Sequence, residues 1–138
     1  MKITILGSTS TIGINTLSVL SKLEIKHKVF ALTAKSNYKL LFKQIKKYNP
    51  VYAVLICPKS AEKISYLCKK NSIKTKILCG TSELSYVCMH KECTCVMSAI
   101  VGAAALEPTL NAIKKGKRIF LANKESLVMS GNLFIKSA

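Results

Sequence analysis

Short apolar runs alternate with longer amphipathic stretches along almost the whole of this 138-residue chain. The apolar runs have the length of strands that are buried on both faces. The stretches between them carry apolar residues at helical spacing, and a helix is the usual connection between parallel strands. The alternation therefore predicts an α/β, Rossmann-like fold, a doubly wound and mostly parallel sheet with helices on both faces.

The predicted elements fill one domain over residues 1–138. Strands are predicted over 2–7, 27–33, 51–57, 75–79, 94–98 and 118–122. Helices are predicted over 11–22, 38–48, 59–71, 81–89 and 106–115, and from 125 onward. In the first helix, the residues expected on the apolar face are Ile12, Thr16, Val19, Leu20 and Leu23. The chain stops inside or just after a predicted helix, which indicates a fragment of a longer protein.

The charge of the chain is strongly positive, at +16 from 22 basic and 6 acidic residues. Such a charge suits nucleic acid or an anionic membrane. The lysines, however, are scattered along the predicted helices, and only one arginine is present. Because arginine is preferred for bidentate recognition of bases and phosphates, this distribution argues against nucleic-acid binding, which is kept as an alternative. No apolar run has transmembrane length and no secretory signal opens the chain, so we expect no membrane partner and a cytoplasmic location.

Six cysteines raise the question of a metal site or disulfides. Residues 88–95 hold three cysteines and a histidine, but their spacing is wrong for paired zinc ligands and no second pair follows. Free thiols are therefore expected, and no metal ligands. Cys57, Cys79 and Cys95 lie in or beside predicted strands, where free cysteine behaves as a small core residue.

A first site is predicted between the first strand and the first helix, from Gly7 to Gly13. Gly7 allows a tight turn, and Gly13 allows the helix to pack closely against the strand. The backbone amides between them, at the start of a helix, suit a pyrophosphate. The side chains of Ser8, Thr9, Ser10 and Thr11 add hydroxyl donors. An ordinary turn capped by serine or threonine is the structural alternative.

The end of the second strand bears on which dinucleotide would bind. Binders of NAD usually place a carboxylate there for the ribose 2′-hydroxyl. This chain has Lys35, Ser36 and Asn37 instead. A lysine, a hydroxyl and an amide suit a 2′-phosphate, which favours NADP(H).

A second site is predicted where the apolar run 119–122 ends. Asn123, Lys124 and Glu125 place an amide, an ammonium and a carboxylate side by side. Ligands of open α/β sheets bind outside the carboxyl ends of the strands, so these groups are candidates for contact with a ligand. First-turn helix stabilisation is the alternative for Glu125 and Ser126.

These segments together resemble one family. The chain is similar to the N-terminal, NADPH-binding domain of 1-deoxy-D-xylulose 5-phosphate reductoisomerases over essentially its whole length. The resemblance rests on residues 5–9, 12–13, 16–17, 31–32 with Asn37, 99–104, 108–110, 112–113 and 116–117, and most specifically on 121–128.

The resemblance implies an NADPH-dependent oxidoreductase of non-mevalonate isoprenoid biosynthesis. The family isomerises and reduces 1-deoxy-D-xylulose 5-phosphate, a phosphorylated sugar, to 2-C-methyl-D-erythritol 4-phosphate, with magnesium or manganese as a Lewis acid. It also implies a homodimer. Carried over by position, the cofactor phosphates would lie against Thr9, Ser10, Thr11 and Ile12, and the adenosine end against Lys35, Ser36 and Asn37. Asn123 and Glu125 would contact the cofactor, and Lys124 would be the catalytic, substrate-binding residue.

Three positions depart from the family pattern. The family usually has glycine where this chain has Ser10 and Ala105, and glycine or a small polar residue where it has Lys35. The Ser10 side chain is expected to point near the pyrophosphate. The acidic metal ligands of the family follow residue 138 in position, so we expect this chain alone to be inactive. A degenerate nucleotide-binding remnant and another NADP-dependent dehydrogenase are the further alternatives.

Overall fold

The computed structural model describes residues 1–22, 28–100 and 106–121. Within these ranges six strands and five helices alternate. The strands are β1 (Lys2–Leu6), β2 (Lys28–Ala34), β3 (Tyr52–Leu55), β4 (Lys76–Cys79), β5 (Cys95–Ser98) and β6 (Arg118–Leu121). The helices are α1 (Thr11–Lys22), α2 (Tyr38–Tyr48), α3 (Pro58–Lys70), α4 (Ser82–Met89) and α5 (Leu106–Lys114). The bounds lie within two residues of the predicted ones, and the helix predicted from 125 lies outside the described residues.

All six strands form one parallel sheet in the order β4-β3-β2-β1-β5-β6. The order runs outward from β1 in both directions, because β2 pairs with one edge of β1 and β5 with the other. The predicted fold class is thus confirmed as a Rossmann-like doubly wound sheet.

The core has two halves, one on each face of the sheet. Helices α1, α2 and α3 cover the first face, where Leu17, Leu41 and Ile64 pack against the strands. Helices α4 and α5 cover the second, with Val87 and Ala112 among its buried residues. Both faces of the strands are therefore apolar, which explains why the strands appear in the sequence as continuous apolar runs.

The pairing of β1 with β2 shifts register between Ile3 and Thr4. Ile3 pairs with Val29 and Thr4 with Ala31, so Phe30 is the extra residue of a β-bulge. Phe30 and Ala31 consequently contribute to the same half of the core, although they are adjacent in sequence. Strict alternation of side chains along β2 resumes after the bulge.

Two details of the predicted core were wrong. The buried residues of α1 are Gly13, Leu17 and Leu20, whereas Val19 is 57% exposed. Leu23, also predicted on this face, lies outside the described residues. The helix is rotated so that Gly13 meets the loop before it, and this contact decides which face is buried. Of the three cysteines expected in the core beside strands, Cys95 is buried, Cys57 is half-buried and Cys79 is exposed. Cys79 is exposed because β4 forms an edge of the sheet.

Candidate functional site

The candidate site lies at the carboxyl edge of the sheet, between β1 and β5. Leu6 ends β1 opposite Ser98, which ends β5. The chain leaves β1 toward α1 on one face, and after β5 it continues to α5 on the other face. This divergence is the topological switch point, where open α/β sheets bind their ligands.

The two glycines of the first loop are required by its geometry. Gly7 has φ +79°, and a Cβ atom there would lie 3.0 Å from Ile100 Cγ1 and 3.1 Å from the Ala99 carbonyl oxygen. A Cβ atom on Gly13 would lie 2.2 Å from the Gly7 carbonyl oxygen and 2.7 Å from Ser8 Cα. No side chain larger than hydrogen fits at Gly13 without movement. The tight turn predicted at Gly7 is confirmed. Gly13 does allow close packing of the helix, but against the loop after β1 and not against the strand that was predicted.

Ser10 directs its side chain into the loop. Its hydroxyl lies 2.8 Å from the Gly7 carbonyl oxygen and 3.2 Å from that of Ala99, two acceptors for its single proton. The same oxygen accepts a hydrogen bond of 3.0 Å from the N–H of Gly13. Ser10 therefore caps helix α1 and links the loops after β1 and β5, so its hydroxyl is engaged within the protein and not directed outward.

Other amides of the loop are available. Within the described part of the chain, the N–H groups of Thr9, Thr11 and Ile12 have no hydrogen-bond partner. Thr11 is exposed, and the other two residues are half-buried. The first N–H groups of any α-helix lack partners within the helix, and the positive end of the helix dipole lies beside them. This end of α1 can accept an anion.

Buried hydrogen bonds join the loop to Thr33 of β2 and Gln44 of α2. Ser8 donates its N–H to the Thr33 carbonyl oxygen at 2.8 Å, and Gly7 donates its N–H to Thr33 Oγ1 at 2.9 Å. The Ser8 hydroxyl lies 2.8 Å from Gln44 Oε1, while Gln44 Nε2 donates to the Ser8 carbonyl oxygen at 2.8 Å. The prediction that the Ser8 hydroxyl is a donor for the phosphates was wrong, because Ser8 is fully buried and its hydroxyl bonds within the protein. Sequence reasoning missed Gln44 and Thr33. The available signal was a single amide on the apolar face of α2, beside Ile45 and three residues after Leu41.

The loop after β2 carries Lys35, Ser36 and Asn37, and all three are exposed. Its backbone is fixed to the start of α3. The N–H of Cys57 donates to the Lys35 carbonyl oxygen at 2.9 Å, and the Ser60 hydroxyl donates to that of Ser36 at the same distance. Asn37 caps α2, since its side chain accepts a 3.3 Å hydrogen bond from the N–H of Leu40. The loop thus presents its lysine and serine to solvent from a fixed backbone.

The thiol of Cys57 lies at the same edge of the sheet, at the N-terminus of α3. The backbone N–H of Ser60, in the first turn of α3, is the main cause that lowers the pKa of this thiol below its ordinary value of 9.0. Burial has the opposite effect on Cys95, where it raises the pKa to about 12.

The second predicted site cannot be described from the structure. Strand β6 ends at Leu121, opposite Ser98, so the chain leaves the sheet at the same edge as β1. Asn123, Lys124 and Glu125 lie outside the described residues, as does Ala105.

The segment 88–95 forms no metal centre in the described structure. Cys88, Cys93 and Cys95 are buried, and the Cys93 thiol lies 3.2 Å from Thr4 Oγ1. Across the ranges that the structure describes, no group of three or more histidine, cysteine or carboxylate side chains is arranged to hold a metal ion. None of the described helices is long and apolar enough to cross a membrane.

Comparison with known proteins identifies one family. The family model for 1-deoxy-D-xylulose 5-phosphate reductoisomerase matches residues 3–131. The reductoisomerase of Methylobacillus flagellatus is 46% identical over 135 residues, and that of Proteus mirabilis is 47% identical over 133 residues. These alignments cover 98% and 96% of the chain and 34% of each relative. The chain therefore spans about a third of the length of the relatives it matches.

Solved structures of reductoisomerases of this family share the fold. The reductoisomerase from Zymomonas mobilis in complex with NADPH superposes with a TM-score of 0.84 at 35% identity, covering 99% of this chain and 35% of that one. A reductoisomerase in complex with NADPH, fosmidomycin and magnesium gives a TM-score of 0.88 at 37% identity, covering 100% and 34%.

Proposed function

Because the chain belongs to the 1-deoxy-D-xylulose 5-phosphate reductoisomerase family, we propose that it is the N-terminal, NADPH-binding part of such an enzyme. The parent protein would isomerise and reduce 1-deoxy-D-xylulose 5-phosphate to 2-C-methyl-D-erythritol 4-phosphate in isoprenoid biosynthesis. The observation that carries the proposal is the open N-terminus of α1 at the switch point, framed by Gly7 and Gly13.

The pyrophosphate of the cofactor would bind at the start of α1. The N–H groups of Thr9, Thr11 and Ile12 are available there as donors, with the dipole of a twelve-residue helix behind them. Ser10 would contribute through the loop conformation that its hydroxyl stabilises. The exposed hydroxyl of Thr11 would add a side-chain donor.

The adenosine end would lie over the loop after β2. Lys35 and Ser36 are exposed there, and Asn37 follows them at the start of α2. Residues 34–37 include no carboxylate that would repel a 2′-phosphate. The ammonium of Lys35 would attract it, and this charge preference supports NADPH over NADH.

The reacting end of the cofactor would lie toward the residues that follow β6. Asn123 and Glu125 would contact the cofactor, and Lys124 would bind the substrate. The nicotinamide supplies the hydride for the reduction. An ammonium beside the reacting oxygens would stabilise negative charge that develops on them.

The described residues contain no cluster of side chains suited to a divalent metal, which would therefore need ligands from elsewhere. We therefore assign it to the remainder of the parent protein and expect this chain alone to be inactive. The six free thiols fit a reducing, cytoplasmic compartment. A homodimer is proposed from the family resemblance alone, and sedimentation of the parent enzyme would test it.

The test is the thermal midpoint of the 138-residue chain with increasing NADPH or NADH. At a ligand concentration of 100 times Kd, binding to the native state adds about 2.7 kcal/mol of stability. We expect NADPH to raise the midpoint by several degrees and NADH to raise it less. Lys35→Glu should remove the preference, while the matched change Lys70→Glu, at the far end of α3, should keep it.

Two results would contradict the proposal. A folded chain whose midpoint does not move with NADPH would refute cofactor binding by this domain. Equal loss of preference in both lysine variants would show that net charge, and not the position of Lys35, selects the cofactor.

A further inference from the structure

The side chain of Gln44 lies in the apolar face of α2, where only 7% of its surface is exposed. Its neighbours along this face are Leu41 and Ile45, which are fully buried. A buried amide is costly unless its polar atoms have partners. Gln44 meets this requirement through a single residue, because both ends of its amide bond to Ser8.

The two hydrogen bonds of Gln44 fix the side chain and the backbone carbonyl of Ser8. The Gln44 oxygen lies 2.8 Å from the Ser8 hydroxyl, and the Gln44 nitrogen donates at 2.8 Å to the Ser8 carbonyl oxygen. The second bond turns this carbonyl toward the protein interior. Ser8 itself is fully buried, so water cannot replace the amide.

The orientation of this carbonyl determines that of the next N–H group. The described residues contain no cis peptide bond, and in a planar trans peptide the C=O and N–H point in opposite directions. With the Ser8 carbonyl directed inward, the N–H of Thr9 is directed away from Gln44. It is one of the loop amides without a partner. A reversed peptide would instead present a carbonyl oxygen to an approaching phosphate.

We infer that Gln44 is a positioning residue, which holds the Ser8–Thr9 peptide so that the Thr9 N–H donates to the cofactor pyrophosphate. The inference rests on the proposed function. Gln44 belongs to the helix that Asn37 caps, so α2 links the loop proposed for the adenosine end to the loop proposed for the pyrophosphate.

The test compares two ligands that differ in the pyrophosphate. NADPH contains it, whereas 2′-AMP has the adenosine and 2′-phosphate alone. Gln44→Met keeps the length of the side chain and removes its polar atoms. We expect it to weaken NADPH binding about tenfold, the effect of losing one well-placed hydrogen bond, and to change 2′-AMP binding less than about twofold.

A second variant and a control complete the experiment. Gln44→Asn retains an amide but shortens the side chain by one methylene. It should likewise weaken NADPH binding and leave 2′-AMP binding nearly unchanged. Asn71→Met removes an exposed amide from the end of α3, where it donates to the Leu67 carbonyl oxygen, and should change neither affinity. Dissociation constants would come from NADPH fluorescence and from its displacement by 2′-AMP.

The outcomes separate the inference from the proposed function. If the unsubstituted chain does not bind NADPH, the proposed function fails. If it binds and both Gln44 variants bind NADPH equally well, Gln44 does not position the loop. If both variants bind NADPH and 2′-AMP with equally reduced affinity, or bind neither, Gln44 has a structural role only, and the inference is also overturned.

Discussion

Gly13→Ala is the substitution for which the structure gives the sharpest expectation. Alanine is favoured over glycine in a helix interior by about 1 kcal/mol, so propensity alone predicts a more stable chain. The added Cβ atom, however, would lie 2.2 Å from the Gly7 carbonyl oxygen, where ordinary contact begins at 3.4 Å. The atoms it meets are backbone, so no side chain can rotate away.

The steric cost outweighs the gain in propensity. Helix α1 must move by about 1 Å relative to the loop, and overpacking of this kind costs about 1–3 kcal/mol. The same movement stretches the hydrogen bonds of Ser10 to Gly7 and Gly13, each contributing about 1 kcal/mol. We expect a net loss of about 2–4 kcal/mol, which would lower the thermal midpoint by about 10 °C for a chain of this size.

Urea unfolding of the chain without ligand would measure this loss. Ser18→Ala is the matched control, because it places alanine at an exposed position of the same helix. It should change the free energy of unfolding by less than about 0.5 kcal/mol. A Gly13→Ala chain as stable as the control would show that helix and loop are not in the close contact on which our account of the site depends.

Three further predictions concern the core, a thiol and the surface. Leu41→Ala, at a fully buried position, should lower the free energy of unfolding by about 2–5 kcal/mol, measured in urea. Because the backbone N–H of Ser60 lowers the pKa of the Cys57 thiol, Ellman's reagent should react with one thiol of the folded chain at pH 8 faster than with the thiols of the unfolded chain. The excess rate should disappear on unfolding and in Cys57→Ser; its persistence in that variant would contradict the assignment. Glu92→Gln breaks an exposed ion pair with Lys2, at 3.7 Å, and should change stability by less than about 1 kcal/mol. A larger thermal shift would mean that Glu92 has another role.

Much of the fold was predictable because the secondary structure follows from the pattern of neighbouring residues. The alternation of apolar runs and amphipathic stretches predicted six strands and six helices. The six strands and the five helices that the structure describes have bounds within two residues of the predicted ones. Local signals were weaker where packing competes with periodicity. Val19 fits a helical apolar stripe, yet α1 buries Leu17 and Leu20 because Gly13 must face the loop.

The site was predictable in part, for the same reason. Gly7 and Gly13 stand out because their spacing between a strand and a helix has a backbone cause. Gln44 does not stand out, since one amide among apolar residues has no local signature of a partner 36 positions earlier in the chain. The direction of the Ser10 hydroxyl depends on the Ala99 carbonyl oxygen, 89 positions away, and was equally hidden.

The sequence by itself determined the class of fold, the place of the phosphate loop and the family, because each follows from residue types at short spacing. Only the tertiary structure decided the order of the strands, the bulge at Phe30 and the partners of Ser8. These depend on contacts between distant segments. The physical reason is that buried polar groups must find partners wherever the packed chain brings them, whereas periodicity and backbone conformation are properties of neighbouring residues.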